Sequence, residues 1–209
     1  MARQPLLLKA SEFRHLFEEG PTERAYAGTP VNDLSQPEQG KMIQEWARQV
    51  LEEQNPGMDV SDPGGMCCNG RRRGPHRSSY DFRLGHQRIE VKSARMAWDA
   101  THRRWSALFA DVKLGSLANH DHDAAFDDLY LALMFPKGLH LIKHDLVTGV
   151  SRTGQSTEIC GHRVQASGSV GTHCREEAFH EILRKLCECA GIPMYKYVPY
   201  ELSKARQAN

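Results

Sequence analysis

The amino-acid order predicts an α/β sandwich, a central mixed β-sheet with helices packed on it. Three observations carry that expectation: an amphipathic helical stripe in the first quarter of the chain, a run of period-two segments through its middle, and a second amphipathic stripe near its end. The 209 residues suit one domain with a full core, and no internal repeat or low-complexity tract divides them.

The first helix is expected over residues 35–54. Met42, Ile43, Trp46, Ala47, Val50 and Leu51 recur at three- and four-residue spacing and make one apolar stripe, which Asn55-Pro56-Gly57 ends. A glycine- and proline-rich basic loop follows, from Ser61 to Pro75. From Ser79 to Ser93 the period changes to two. Tyr80, Phe82 and Leu84 alternate with Asp81 and Arg83, then Ile89 and Val91 alternate with Arg88, Glu90 and Lys92, about a Gly85-His86 turn. Further strands are expected at 105–112, 129–135 and 138–144, the last two joined at Pro136-Lys137. Residues 148–172, rich in Gly, Ser and Thr, read as a long functional loop with at most a short strand near 162–166. A last helix is expected over 175–190, where Ala178, Phe179, Ile182, Leu183 and Leu186 form the stripe.

The hairpin carries the chemistry. With Gly85-His86 as the turn, Phe82 faces Ile89, Tyr80 faces Val91, and Asp81 faces Glu90. The apolar pairs fix this register, because a one-residue slip would turn them into water. The opposite face then gathers Asp81, Glu90 and Lys92. Two carboxylates across a strand pair repel unless a cation sits between them, and a hard divalent ion with oxygen ligands is the natural guest. Lys92, two residues beyond Glu90, is placed to orient an attacking water and offset phosphate charge. A solvent-facing hairpin with a Glu-x-Lys pair is the plainer alternative.

Composition narrows the function classes. No apolar run is long enough to span a membrane, and the Pro5–Leu8 stretch is too short for a signal-peptide core, so a soluble, cytoplasmic protein is expected. Six cysteines, two of them adjacent at Cys67 and Cys68, do not form the spaced framework of a small secreted scaffold. The net charge of +1 excludes a polycation, yet residues 71–104 hold ten Lys/Arg against three acids. That segment is a candidate phosphate-facing region, through Arg71, Arg72, Arg73, Arg77 and Arg95.

Tyr80-Asp81, an eight-residue gap, and then Glu90-Val91-Lys92-Ser93 resemble the signature of the PD-(D/E)XK nuclease superfamily, with Tyr80 where the family usually has proline. The resemblance implies a restriction-endonuclease-like central mixed sheet flanked by helices. It also implies a metal site at Asp81, Glu90 and the Val91 position, taking Mg²⁺ or, in its place, Mn²⁺. The activity implied is hydrolysis of DNA phosphodiesters to 5′-phosphate and 3′-hydroxyl ends. A first-helix acid often joins the family's site; Glu45 is the candidate, with Gln44 in an equally suitable register. Compact size most resembles a type II restriction enzyme, which implies a homodimer on double-stranded DNA. Arg152, His162, Arg163 and Gln165 are then candidates for reading bases, since Arg matches guanine and Gln adenine. A repair or junction-cleaving nuclease and an inert DNA-binding protein of the same fold are the alternatives.

Other signals point less clearly to a site. Cys160, His162, His173 and Cys174 could supply four zinc ligands, but their spacing is irregular. His120–Asp123 reads as a solvated turn. Trp46, Trp98 and Trp105 lie in periodic segments, which favours packing over base stacking.

Overall fold

A computed structural model describes residues 26–29, 31–63, 80–99, 101–102, 104–112, 126–135, 138–146, 150–152, 162–169 and 195–199. The expected last helix and residues 64–75 of the expected basic loop lie outside them, and Ser61, at the loop's expected start, is in a strand.

Helix α1 spans Gln36–Gln54. Ser35 begins it: the Glu38 carboxylate accepts from the Ser35 N–H at 2.9 Å and from its hydroxyl at 2.5 Å, and the Ser35 carbonyl takes the first helical N–H, from Gln39. Asn55 closes it, backbone N–H and side-chain amide both donating to the Leu51 carbonyl. Ile43, Trp46, Ala47, Val50 and Leu51 are buried along the expected stripe.

Among the described residues ten strands follow: β1 (Val60–Ser61), β2 (Phe82–Leu84), β3 (Gln87–Arg95), β4 (Ala97–Asp99), β5 (Arg104–Val112), β6 (Asp128–Phe135), β7 (Gly138–His144), β8 (Val150–Arg152), β9 (His162–Ser169) and β10 (Tyr195–Pro199). One sheet has the order β1-β2-β3-β6-β7-β10, and a second has β4-β5-β9-β8. In the first, β3 and β6 are parallel and the other pairs antiparallel, so the fold is mixed α/β.

The helix stripe packs on one face of the first sheet, against Phe82, Leu84, Ile89, Val91, Tyr130, Ala132, Met134, Leu139 and Leu141. β6 is central, and its residues on the opposite face, Leu129, Leu131, Leu133 and Phe135, are buried as well. That burial on both faces explains why the Leu129–Phe135 segment is apolar without alternation. The second sheet approaches the first through β5, which lies against β3. Tyr26 ties the ends of two central strands together by donating its hydroxyl to the carbonyls of Met96 at 3.1 Å and Met134 at 2.7 Å.

Within the segment expected to be a long loop, the described residues, Val150–Arg152 and His162–Ser169, are strand. β9 pairs with β5 and β8 with β9, and Val164, Ala166 and Gly168 stand opposite Phe109, Ala107 and Trp105. Gly168 against buried Trp105 and Val164 against buried Phe109 set a smaller residue opposite a large one, which suits a packed sheet, although the composition of β9 carries a weak strand signal.

Candidate active site

The hairpin forms as its sequence requires. Gly85 adopts φ 58°, the left-handed geometry that a tight turn needs there, and its N–H donates to the Asp59 carbonyl at 2.7 Å. Phe82 pairs with Ile89, Arg83 with Arg88 and Leu84 with Gln87. Phe82, Leu84, Ile89 and Val91 go under α1. Arg83, Arg88, Glu90 and Lys92 therefore share the other face, since strand residues alternate.

The ladder ends one residue early. Asp81 lies in a bend ahead of β2 rather than in a strand opposite Glu90, and its N–H bonds to the carbonyl of Ile89, the residue paired with Phe82. Two consecutive residues thus address one partner, the arrangement of a β-bulge, and side-chain alternation changes phase there. Tyr80, expected against Val91, instead meets Arg83: its hydroxyl accepts from Arg83 Nε at 2.9 Å, and the guanidinium carbon lies 5.4 Å from its ring centre.

The Asp81 side chain substitutes for the missing ladder acceptor. Its Oδ2 accepts from the Val91 N–H at 2.7 Å, and its Oδ1 accepts from Gln44 Nε2 at 2.8 Å. Helix and strand hold the carboxylate from two directions. Glu90, only 3% exposed, pairs through Oε1 with Lys92 Nζ at 2.7 Å. The Asp81 contact falls on the residue between these two, so the Gln44–Asp81 pair and the Glu90–Lys92 pair meet at the main chain of Val91.

The first-helix acid is corrected. Gln44, not Glu45, reaches Asp81; Glu45 is exposed and accepts from Gln49 one helical turn on. Helical phase explains this, because at about 100° per residue Glu45 falls roughly 170° from the middle of the buried stripe and Gln44 about 90°.

The oxygens present fit a hard cation. Asp81 and Glu90 offer carboxylates, and Val91 can contribute only main chain because its side chain is in the core. Among the described residues no group of three or more His, Cys, Asp or Glu gathers, here or elsewhere, so the site offers two carboxylates and no third such ligand. The His120–Asp123 cluster and Cys160, His173 and Cys174 fall outside those residues.

Charged pairs brace the neighbouring strands. Asp127 accepts from the Arg88 backbone N–H, Nε and Nη2, which holds its carboxyl below the usual range. Lys143 pairs with Asp128 at 2.8 Å. Burial, and secondarily Asp128, pushes the Tyr130 phenol up to about 12, so it stays protonated beside Val91. Asp127 and Asp128 did not stand out as site residues in the sequence, because each works through a partner on another strand, Arg88 of β3 and Lys143 of β7.

The proposed DNA contacts are dispersed. Arg95 stacks on Tyr26 at 5.3 Å and bonds to the Val31 carbonyl, a structural role that competes with phosphate contact. Arg71, Arg72, Arg73 and Arg77 lie outside the described residues. Arg152, His162, Arg163 and Gln165 occupy strands rather than a loop. In backbone register Arg152 pairs with His162, Arg163 with Ser151 and Gln165 with Leu108. Trp46 and Trp105 are buried, and Trp98 packs 5.4 Å from Trp105, so packing accounts for all three tryptophans.

Compared with known proteins, the chain matches no family model, no curated protein and no solved structure.

Proposed function

We propose that this protein is a magnesium-dependent endonuclease that hydrolyses phosphodiester bonds in double-stranded DNA to 5′-phosphate and 3′-hydroxyl ends, in the manner of a sequence-specific type II restriction enzyme acting as a homodimer. The observation that carries the reading is the junction at Val91, whose N–H fixes the Asp81 carboxylate beside the Glu90–Lys92 pair.

Asp81 and Glu90 would hold the metal, Mg²⁺ or Mn²⁺, which when bound supplies positive charge that acidifies water and neutralises a phosphate. Gln44 and the Val91 N–H leave Asp81 little rotational freedom, so its carboxylate is ordered before any ligand arrives. Lys92 offers up to three N–H donors, one of them directed at Glu90. The remaining protons can bind a phosphate oxygen or orient the attacking water. Glu90, buried and paired, keeps that ammonium in place.

Incubation of a long duplex with the protein and Mg²⁺, alongside EDTA and Asp81→Ala controls, tests the proposal. Discrete fragments that vanish in both controls support a restriction-type enzyme. Cutting confined to branched or mismatched DNA transfers the same chemistry to repair. Binding with no cutting under any condition refutes hydrolysis and leaves an inert DNA-binding protein, the reading that the closed Glu90–Lys92 pair would then favour.

A further inference from the structure

We infer that Arg83, held in place by Tyr80, binds a backbone phosphate of the DNA next to the one being cleaved. The inference rests on the nuclease reading and adds a subsite to it.

Arg83 lies on β2 between Ser61 of β1 and Arg88 of β3, on the hairpin face that carries Glu90 and Lys92. Its Nε donates to the Tyr80 hydroxyl and its guanidinium carbon lies 5.4 Å from the Tyr80 ring centre, so the same side chain holds it by a hydrogen bond and a cation–π contact. Tyr80 is itself buried and directly precedes Asp81, so its position is tied to that of the carboxylate. The bend at Asp81 is what brings Tyr80 to this face.

Other arginines nearby are committed. Arg48 uses its terminal nitrogens on Asp62 and the Val60 carbonyl, Arg88 closes on Asp127, and Arg95 bonds to the Val31 carbonyl. The two terminal amino groups of Arg83 make no hydrogen bond among the described residues. Asp127 is close enough to feel its charge, but already accepts three N–H groups from Arg88. What remains is a planar, permanently charged fork with its donors open and its orientation set. Phosphate oxygens match that fork in charge and in spacing, and an arginine ordered in advance loses little entropy on binding them.

Duplex binding is measured in EDTA over a range of salt for the full chain and for Arg83→Ala, Arg83→Lys and Tyr80→Phe, with thermal unfolding of each and Mg²⁺-dependent cutting by the unmutated protein. Arg83→Ala is expected to weaken binding about tenfold at low salt, as for one lost charge-assisted hydrogen-bonded contact. It should also reduce the slope of log affinity against log salt by about 0.9. Arg83→Lys keeps the charge and hence the slope but loses affinity with the planar fork, and Tyr80→Phe loses less. Cutting by the unmutated protein, with affinity and slope unchanged in a folded Arg83→Ala, overturns the Arg83 subsite and leaves the nuclease reading intact. Absence of both binding and cutting overturns that reading and the subsite with it. If Arg83→Ala does not fold, unchanged affinity in Arg83→Lys overturns the subsite.

Discussion

His140 should make the sheet that carries the site sensitive to mild acid. It sits on β7 between Leu133 of β6 and Tyr197 of β10, is 0% exposed, and meets Phe135 edge-on at 4.8 Å. Burial pulls its pKa from 6.5 down to about 3. The unfolded chain therefore takes up a proton at this residue below pH 6.5 that the folded chain refuses until about pH 3. Stability from the neutral imidazole is complete above 6.5 and is lost as pH falls through that window, at about 1.4 kcal/mol per unit. Between pH 7 and pH 5 the loss comes to about 2 kcal/mol, a sizeable part of a domain's total. Urea unfolding of the unmutated protein and of His140→Leu at both pH values measures it. The difference between the two proteins should shift by about 2 kcal/mol in favour of His140→Leu at the lower pH. An identical pH dependence in both, or an imidazole in the folded protein that titrates near 6.5 by NMR, refutes the reasoning.

Gln44→Glu places a second carboxylate against Asp81, where an amide now donates at 2.8 Å. Without divalent ions the variant should melt below the unmutated protein, and Mg²⁺ should raise its melting temperature by more than that of the unmutated protein, which calorimetry with and without EDTA reads directly. Glu90→Gln leaves the Lys92 ammonium, 23% exposed, facing a neutral amide. Chemical denaturation should show a loss of about 2 kcal/mol, less than for a fully buried pair because Lys92 still reaches water. Lys92→Ala should retain most DNA affinity while losing turnover, and an unimpaired rate would remove Lys92 from the chemistry. Ser35→Ala removes the hydroxyl bonded to Glu38 and should cost about 1 kcal/mol by denaturation, with DNA binding unchanged.

Where local chemistry decides structure, the sequence was legible. The α1 stripe, the Gly85-His86 turn, the Phe82–Ile89 register and the β6–β7 hairpin follow from periodicity and turn residues alone. Where one element depends on another, it was not. β9 has little strand character of its own, and its pairing comes from the large buried residues of β5. Tyr80 continued the alternation of Phe82 and Leu84 in the sequence, yet it turns to the other face, because a carboxylate side chain can take a ladder N–H and release the backbone from pairing. The choice between Gln44 and Glu45 was within reach, since helical phase alone points Glu45 away from the sheet.

That bend at Asp81 is a local cost, and what it achieves bears on function. Continuing the ladder would have placed Tyr80 across from Val91 and Asp81 across from Glu90. The bend instead fixes the carboxylate with two hydrogen bonds, at 2.7 Å and 2.8 Å, one from the strand that bears Glu90 and Lys92 and one from the helix. Two strong donors would satisfy the partly buried Asp81, but the strand that supplies one of them also carries the buried Glu90 carboxylate, paired with Lys92. Burying the Glu90 carboxylate is unfavourable even with Lys92 beside it, and core packing does not require it, because Phe82, Leu84, Ile89 and Val91 of the hairpin face α1. Charged groups retained at that expense are better explained by a ligand with opposite charge than by stability, and a cation bound beside a phosphate is the ligand that both carboxylates, the ammonium and the neighbouring guanidinium would together suit.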